Sequence, residues 1–321
     1  MKLLVALGGN AIKQADQEGT CDEQFDNCGQ TAEQLARIVS EFKSNGDWMA
    51  ITHGNGPQSG NLSVQQEAGK DKVAPQPLHI IGAMTQGQIG YMLQNQMQEH
   101  LRAHGIDKDV IAVVNQVIVD PNDPEFVGDA ASKPVGNFFS EAEAKALKAK
   151  HPDYIVKNVK PSAEKGWRRT VPSPLPSANA EVRAVKKILD AGIIVIASGG
   201  GGVPSMKGAD GNLTGLEAVI DKDRAGEVLA VELGADVFMV LTDVENAIVN
   251  FGKDNATPVG AVSVDEMKKL AAEGHFLAGS MGPKVASAIK FVEDGGDRAI
   301  ITSLGKAVDA LAGKTGTIIT K

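Results

Sequence analysis

Residues 193–204 read IIVIASGGGGVP, a run of β-branched residues that ends in four consecutive glycines. A continuous apolar run of this kind is typical of a strand buried on both faces of a parallel sheet. Glycines after such a strand let the backbone approach another group closely. A Walker phosphate loop would place a lysine and a hydroxyl residue directly after the glycines, whereas Val203 and Pro204 stand there. The stretch therefore predicts a parallel α/β sheet with a glycine-rich loop of another type.

Two earlier apolar runs end in the same way. Residues 3–7 (LLVAL) are followed by GGN at 8–10, and residues 48–52 (WMAIT) by HGNGPQSG at 53–60. The carboxyl ends of parallel strands meet at one edge of a sheet, where α/β proteins bind their ligands. Glycine there leaves backbone N–H groups free to meet an anion. A single glycine loop is more often a plain turn, but three at one edge favour a ligand site.

The rest of the chain alternates between apolar runs and helical patterns. Further strands are predicted at 110–119, 193–197, 237–241 and 298–302, and helices at 31–43, 79–104, 179–190, 223–234, 263–273 and 282–294. Such alternation predicts an α/β fold, an open, mainly parallel, doubly wound sheet sandwiched by helices. We expect residues 1–321 to form a single domain of this kind.

Residues 120–177 interrupt the alternation. They hold most of the prolines and are too long for an ordinary connection between strands. We expect an inserted subdomain that protrudes from the sheet edge and closes over the site as a lid. A disordered insertion is the alternative. The ordered form is favoured by aromatic residues, which are scarce elsewhere: Phe126, Phe138, Phe139, Tyr154 and Trp167.

Composition excludes several classes of function. The net charge of −8 and the isoelectric point near 5.3 argue against nucleic acid or an anionic membrane as the main partner. No apolar run approaches the ~20 residues that span a bilayer. The first residues, MKLLVALGGNA, resemble a strand rather than a signal peptide, so a cytoplasmic protein is expected. Cys21 and Cys28 have the spacing of neither a zinc site nor a disulfide framework, and we expect them to be reduced and chemically unimportant.

In an acidic chain, lysines in glycine-rich or apolar settings are the candidates for anion binding. Lys222 lies between Asp221 and Asp223 in VIDKD (219–223). Lys222 either makes a surface ion pair or binds a phosphate while an acidic neighbour fixes its position. Lys284 ends GSMGPK (279–284) at a predicted helix start. A lysine there opposes the helix dipole unless an anion is bound, which makes Lys284 a better candidate than the many lysines on helix faces.

Polar residues beside the glycines complete the candidate set. Asn10 either bonds a phosphoryl oxygen or caps a turn, and His53 is either a general base or a structural residue. Thr242 and Asp243 of LTDV (241–244) suit a ribose or a magnesium shell, or an ordinary helix cap. Together these residues suggest phosphoryl transfer by positioning and charge neutralisation, without a covalent nucleophile. Nothing in the sequence matches a Ser-His-Asp elbow, a dinucleotide fingerprint or a zinc cluster.

A series of motifs, in this order, resembles the carbamate kinases of the amino acid kinase family. They are ALGGNA (6–11), HGNGPQSG (53–60), NDPEF (122–126), SKPVG (132–136), WRRTVPSP (167–174), SGGGGVP (198–204), VIDKD (219–223), LTDV (241–244) and GSMGPK (279–284). The match runs from Leu3 to about Lys290 and so covers nearly the whole chain. WRRTVPSP and the pair of VIDKD with GSMGPK are its most specific parts.

The resemblance implies an eight-stranded sheet, a homodimer and a lid formed by the insert. It also implies reversible phosphoryl transfer between carbamoyl phosphate and ADP, with magnesium, and an ATP-generating role in arginine or ureido breakdown. Lys222 and Lys284 would neutralise the transferred phosphoryl group, and Asp223 would orient them. Lys133 of the insert would reach the phosphate when the lid closes.

The binding residues are also implied by the resemblance. The substrate side, mainly in 1–119, would use Gly8, Gly9, Asn10, Gly54, Asn55 and Gly56. The nucleotide side, mainly in 190–321, would use Gly200, Gly201, Thr242, Asp243, Gly279, Met281 and Gly282. No residue is assigned as a metal ligand, because magnesium is expected to arrive with ATP or ADP as the co-substrate.

The chain departs from the family in three places. Most amino acid kinases have a lysine two residues before the first glycine pair, where this chain has Ala6, and Lys133 is the natural replacement for its charge. Residues 131–134 read ASKP instead of PTKP, and the segment after LTDV lacks the tyrosine of the family, so adenine packing is expected to differ. Two alternatives stay open: a kinase of this fold that acts on acetylglutamate or UMP, or a non-catalytic nucleotide or anion sensor.

Overall fold

The structure is a computed structural model and describes residues 1–9, 12, 17–44, 46–276 and 281–321. Its strands, in chain order, are β1 (Lys2–Leu7), β2 (Trp48–His53), β3 (Val110–Ala112), β4 (Gln116–Val119), β5 (Lys133–Phe139), β6 (Ile155–Asn158), β7 (Trp167–Val171), β8 (Pro176–Asn179), β9 (Ile194–Ile196), β10 (Val203–Lys207), β11 (Leu213–Gly215), β12 (Val237–Thr242), β13 (Ile248–Val249), β14 (Thr257–Pro258), β15 (Ala261–Ser263), β16 (Arg298–Ser303) and β17 (Thr317–Thr320). Its α-helices are α1 (Cys21–Ser40), α2 (Gln58–Gly69), α3 (Leu78–Ala103), α4 (Glu141–Lys150), α5 (Val182–Asp190), α6 (Lys222–Leu233), α7 (Val264–Ala272), α8 (Met281–Glu293) and α9 (Ala307–Leu311).

An eight-stranded sheet forms the centre, in the order β15-β17-β16-β12-β1-β2-β9-β3. The six strands from β16 to β3 are parallel, whereas β17 is antiparallel to β16 and carries β15 with it. The expected open, mainly parallel α/β sheet is thereby confirmed. Because β1, β2 and β9 are neighbours, the three glycine loops that follow them lie side by side at the carboxyl edge.

Both faces of the sheet are covered, which explains the continuous apolar runs. In β1, Leu3, Val5 and Leu7 pack with α1, α3 and α9, while Leu4 and Ala6 pack with α5, α6, α7 and α8 on the other face. All five are fully buried. Because side chains alternate between the faces of a strand, a strand covered on both sides must be apolar throughout.

The N-terminal helix begins ten residues earlier than the sequence pattern predicts. Thr20 accepts a hydrogen bond from the Glu23 backbone, and the Glu23 carboxylate accepts one from the Thr20 backbone. This capping box starts α1 at Cys21, so the two cysteines are helical rather than part of a polar loop. Burial raises the pKa of the Cys28 thiol to about 12, which disfavours the reactive thiolate.

The predicted strand at 110–119 is wrong as a single element. β3 belongs to the central sheet, whereas β4 pairs with β10 and β8 in a second sheet of order β11-β10-β4-β8. The break falls at Asn115, whose N–H donates to the Gln86 side chain and whose amide donates to Ser198, while its carbonyl already accepts from Val203 of β10 in the second sheet. Likewise, the helix predicted at 179–190 begins at Val182, because residues 176–179 form β8.

Residues 120–177 contain regular structure of their own. β5, β7 and β6 form a three-stranded antiparallel sheet, and α4 begins with a capping box of Ser140 and Glu143. Tyr154 stacks on His151 and lies 3.8 Å from the guanidinium of Arg169. Within the residues that the structure covers, no helix is both long and apolar enough to cross a membrane.

Candidate active site

A cavity of about 430 Å³ opens at the carboxyl edge of the central sheet. Its walls come from the loops after β1, β2 and β9, from the starts of α6 and α8, and from β5 of the insert. The sequence-predicted residues that line it are Gly9, Gly54, Asn55, Gly56, Lys133, Gly200, Lys222, Asp223 and Lys284. Residues separated by up to 275 positions are thus brought together at the edge that the glycine loops predicted.

Two lysines share one buried carboxylate in this cavity. Lys222 Nζ lies 2.5 Å from Asp223 Oδ1, and Lys284 Nζ lies 3.2 Å from Asp223 Oδ2. The Asp223 side chain is 3% exposed, so this is a buried arrangement and not the surface ion pair that the sequence left open. One carboxylate cannot neutralise two ammonium groups, and the cavity wall therefore carries an excess positive charge.

Lys133 of the insert reaches the same wall. Its Nζ donates to Asp221 Oδ2 over 2.9 Å, and Asp221 is also the N-cap of α6, accepting from the backbone of Asp223 and Arg224. Burial alone would raise the pKa of Asp221, but the charges of Lys133 and Lys222 and these hydrogen bonds lower it to about 2. Asp221 is therefore ionised at neutral pH and holds Lys133 beside the other two lysines.

The four glycines at 199–202 are packed so closely against other segments of the chain that none has room for a side chain. A Cβ at Gly199 would lie 2.3 Å from the His53 ring, one at Gly201 2.4 Å from the Ile220 carbonyl, and one at Gly202 2.2 Å from Val117. At Gly200 it would lie 2.1 Å from Asn55 Oδ1. The glycines thus allow three segments to converge, and Gly200 alone of the four lines the cavity.

A network of buried hydrogen bonds fixes the residue that precedes the four glycines. Ser198 has a left-handed φ of 51°, an uncommon conformation for a residue with a side chain. Its backbone N–H donates to Asn115 Oδ1 over 2.6 Å and its hydroxyl to Asn179 Oδ1 over 2.7 Å. Asn179 in turn donates to Glu232. The network gives the strained turn its fixed geometry.

Asn55 lines the cavity, whereas His53 lies outside its lining, and both make structural contacts. Asn55 Nδ2 donates to the Gly200 carbonyl over 3.1 Å, and its oxygen accepts from Thr85 over 2.6 Å, which ties the second loop to the third and to α3. Burial lowers the pKa of His53 to about 4, so its ring is neutral. His53 packs against Gly199 and does not line the cavity, which favours the structural interpretation over a general base.

Several predicted residues lie beside this cavity rather than in its lining. Gly8, directly after β1, lies close to β12, and an added Cβ there would be only 2.9 Å from the Leu241 carbonyl. Thr242 ends β12, Asp243 is exposed, and Met281 and Gly282 form the first turn of α8, just before Lys284. Gly201 is packed against Ile220. Asn10 and Gly279 lie outside the described residues.

The sequence analysis missed two charged residues of the cavity, Arg168 and Asp221. Arg168 Nη2 donates to the Gly136 carbonyl over 2.7 Å, and its guanidinium lies 4.8 Å from the Phe138 ring. Burial lowers its pKa, and its Nε atom is buried with no hydrogen-bond partner in the described part of the chain. The WRRTVPSP motif was a signal for Arg168, but the sequence did not indicate which arginine faces the cavity.

Comparisons with known proteins agree with this geometry. The sequence model of the amino acid kinase family matches residues 1–303. The carbamate kinases of Pyrococcus horikoshii and Thermococcus kodakarensis are 48% and 50% identical, over 99% and 100% of this chain and 99% of each relative. The solved structure of carbamate kinase from Giardia lamblia bound to AMP-PNP superposes with a TM-score of 0.91 at 41% identity, covering 100% of this chain and 98% of that one. The chain therefore belongs to the carbamate kinases of the amino acid kinase family and is a phosphotransferase.

Proposed function

We propose that this enzyme catalyses reversible, magnesium-dependent phosphoryl transfer between carbamoyl phosphate and ADP, giving ATP and carbamate. The observation that carries the proposal is the cluster of Lys222, Lys284 and Asp223 in a glycine-walled cavity. Carbamoyl phosphate is a small dianion, and the excess positive charge of that wall suits it. The family membership makes a phosphoryl donor of this kind the expected substrate.

The transfer needs no covalent intermediate on the protein. An oxygen of the ADP β-phosphate attacks phosphorus, the bond from phosphorus to the carbamate oxygen breaks, and carbamate leaves with the bonding electrons. Lys222 and Lys284 neutralise the charge spread over the transferred group, and Asp223 fixes both ammonium groups. Lys133, on the insert, is held by Asp221 beside these two lysines and adds a third positive charge. His53 does not line the cavity, and the transfer as written needs no general base.

Magnesium fits this site as a complex with the nucleotide. Among the described residues, no group of three or more His, Cys, Asp or Glu side chains is arranged to hold a metal ion. Asp221 and Asp223 are both paired with lysines. Phosphate oxygens and water molecules would therefore supply most of the ligands, as is usual for Mg²⁺, and the ion would neutralise charge on the phosphates.

The placement of the two substrates follows the resemblance. Carbamoyl phosphate would lie against the loops after β1 and β2, mainly in residues 1–119, and the nucleotide against residues 190–321, near Thr242, Asp243 and the start of α8. The structural relative bound to AMP-PNP supports a nucleotide of the ATP type. Residues 120–177 would act as a lid that carries Lys133.

Chemistry favours the direction toward ATP. Released carbamate decomposes to ammonia and carbon dioxide, which removes one product and draws the reaction forward. We therefore propose an ATP-generating role in the cytoplasm, in arginine or ureido catabolism.

We also propose that the enzyme is a homodimer. One face of α3 exposes Ile80, Met84 and Tyr91, and Gly87 lies on the same face with none of the described residues within 4 Å of an added Cβ. Ile111 on the edge strand β3 is exposed beside this helix. Exposed apolar residues that cluster on one face are typical of an interface between subunits.

The test is a coupled assay of ATP formation from carbamoyl phosphate, ADP and magnesium. Wild-type protein should form ATP, and Lys222→Ala and Lys284→Ala should each lower kcat by roughly 100-fold or more. Lys268→Ala is the matched control, because Lys268 makes an exposed ion pair with Glu293 far from the cavity. Turnover within tenfold of wild type in both cavity variants would reject the mechanism.

The same assay separates the two alternatives. A kinase for another substrate would phosphorylate acetylglutamate or UMP with ATP and give no ATP from carbamoyl phosphate. A sensor would bind ADP in calorimetry without turnover. Retention of both lysines with Asp223 favours catalysis, because a sensor has no need to stabilise a phosphoryl group in transfer.

A further inference from the structure

Two connections join the sheet of the insert to the rest of the protein, one before β5 and one after β7. We call them the two crossings, and one carboxylate accepts hydrogen bonds from both. Glu125 Oε2 accepts a hydrogen bond from the backbone N–H of Ser132 over 2.8 Å and from that of Ser173 over 3.1 Å. Ser132 immediately precedes β5, and Ser173 follows β7 by two residues. A single oxygen atom thus fixes the distance between the strand that enters the insert and the strand that leaves it.

A second carboxylate fixes Glu125 itself. Asp123 Oδ1 accepts from the Glu125 backbone over 2.9 Å, and Asp123 Oδ2 accepts from the Leu175 backbone over 2.9 Å. Pro124 stands between them, in a short 3₁₀ turn over Pro124–Phe126. The NDPEF motif therefore forms a clamp, which we define as Asp123 and Glu125 with the backbone groups that they accept from.

The clamp lies next to the lysine that the mechanism takes from the insert. Lys133 follows Ser132 directly and pairs with Val171 in the sheet of the insert. The adjacent Pro172 carbonyl accepts from the Val219 backbone over 2.9 Å. Two residues further along, Asp221 holds the Lys133 ammonium. Hydrogen bonds and covalent neighbours thus connect Glu125 to the start of α6 along both connections of the insert.

We propose that Glu125 is a positioning residue that sets how far Lys133 reaches into the cavity. The proposal rests on the proposed function, in which Lys133 meets the phosphoryl group. Without the Glu125 oxygen, the two crossings lose their common acceptor and the first residue of β5 shifts with them. A displacement of about 1 Å at a catalytic group can lower the rate by roughly a hundredfold.

The experiment is a double-mutant cycle on kcat with carbamoyl phosphate and ADP. Glu125→Ala should lower kcat by roughly tenfold to a hundredfold with less than a twofold change in the KM for ADP. Glu125→Gln keeps an oxygen that can accept both hydrogen bonds and should recover most of the activity. In a Lys133→Ala background, Glu125→Ala should have little further effect, because both changes act on the same group. Asp129→Ala, at an exposed acid of the same segment, is the control and should behave as wild type.

Independent effects of Glu125→Ala and Lys133→Ala would overturn the proposal, as would a Glu125→Ala enzyme with normal kcat. If Glu125→Ala does not fold, Glu125→Asp replaces it, since the shorter side chain cannot reach both N–H groups. An inactive wild-type protein would instead overturn the proposed function, so the two failures are distinguishable.

Discussion

At the scale of single residues, Gly200 shows how closely the loops converge. It has a φ of 67°, and an added Cβ would lie 2.1 Å from Asn55 Oδ1. Asn55 is itself held by Thr85 and cannot move freely. Gly200 therefore satisfies a backbone requirement and a packing requirement at once, and its replacement disturbs the loop after β2 as well as its own.

Gly200→Ala should lower the free energy of unfolding by about 3 kcal/mol or more, because strain at positive φ adds to the clash with Asn55. Gly211→Ala is a matched control, since Gly211 has a φ of 84° but no atom of the residues that the structure describes within 4 Å of an added Cβ. It should lose only ~1 kcal/mol. Urea unfolding of both variants measures the difference, and equal losses would contradict the packing argument.

We expect Arg168 to bind carbamoyl phosphate rather than the nucleotide. Its guanidinium lines the cavity and has a buried N–H without a partner in the described part of the chain, so an anion there would satisfy it. Arg168→Gln should raise the KM for carbamoyl phosphate at least tenfold and leave the KM for ADP nearly unchanged. Initial-rate kinetics test this, with Arg169→Gln as the control, because Arg169 stacks on Tyr154 away from the cavity. A larger effect on ADP would contradict the assignment.

The residues that the sequence predicted share a local signal. Lys222 and Lys284 stand beside glycine or aspartate at helix starts, where a charge is unusual enough to be noticed. Asp221 and Arg168 gave no such signal, because their roles depend on contacts with Lys133 and Gly136 that only the fold creates. The roles of Gly199, Gly201 and Gly202 were likewise hidden, since packing and anion binding both require glycine.

At the scale of elements, α6 and α8 carry two of the three cavity lysines. α6 begins at Lys222, Lys284 lies in the first turn of α8, and Asp223 joins the two helices at this end. Further along, Glu227 of α6 is 3% exposed and faces Lys290 of α8 and Asp294, the residue after that helix. The helix pair thus has a buried acid beyond the end that lines the cavity.

Glu227 should make stability depend on pH. Burial is the main cause that raises its pKa to about 7, with the neighbouring Asp294 adding to the effect. Because the folded pKa is raised, the protonated acid stabilises the fold below its unfolded pKa near 4.5, and this contribution is lost as pH rises through about 7. Glu227→Gln should therefore unfold at a higher temperature than wild type at pH 8 and show a smaller difference at pH 5.

Thermal unfolding at both pH values provides the measurement. Glu293→Gln, at an exposed acid of the same helix pair, should leave the pH dependence of wild type unchanged. A Glu227→Gln variant whose melting temperature follows wild type in parallel across this range would show that the buried acid stays ionised.

Element types followed from periodicity, but element ends did not. The long helix α3 is an exception and lies within one residue of the expected 79–104, because its helical pattern is long. The strands at 110–119 could not be separated from sequence alone, since an apolar run does not reveal that Asn115 turns the chain from one sheet into another. α2 follows the second glycine loop without an amphipathic pattern and was not predicted.

At the scale of the whole molecule, the chain is acidic while its cavity is basic. Four cations (Lys133, Arg168, Lys222 and Lys284) face two carboxylates there, in a protein with a net charge of −8. The fold concentrates these cations by bringing the insert, α6 and α8 to one sheet edge. Such a field attracts a small dianion locally, while the remaining surface stays unattractive to nucleic acid.

The same sheet ends at β3, beside the apolar face of α3 that we propose as the dimer interface. Met84→Glu combined with Tyr91→Glu places two charges on that face, and burying them against a partner's identical charges is strongly unfavourable. Wild-type protein should have the mass of a dimer in light scattering after size-exclusion chromatography, and the double variant that of a monomer. Lys148→Glu, on the exposed surface of α4, should stay dimeric. A double variant that keeps the dimer mass would place the interface on another face of the molecule.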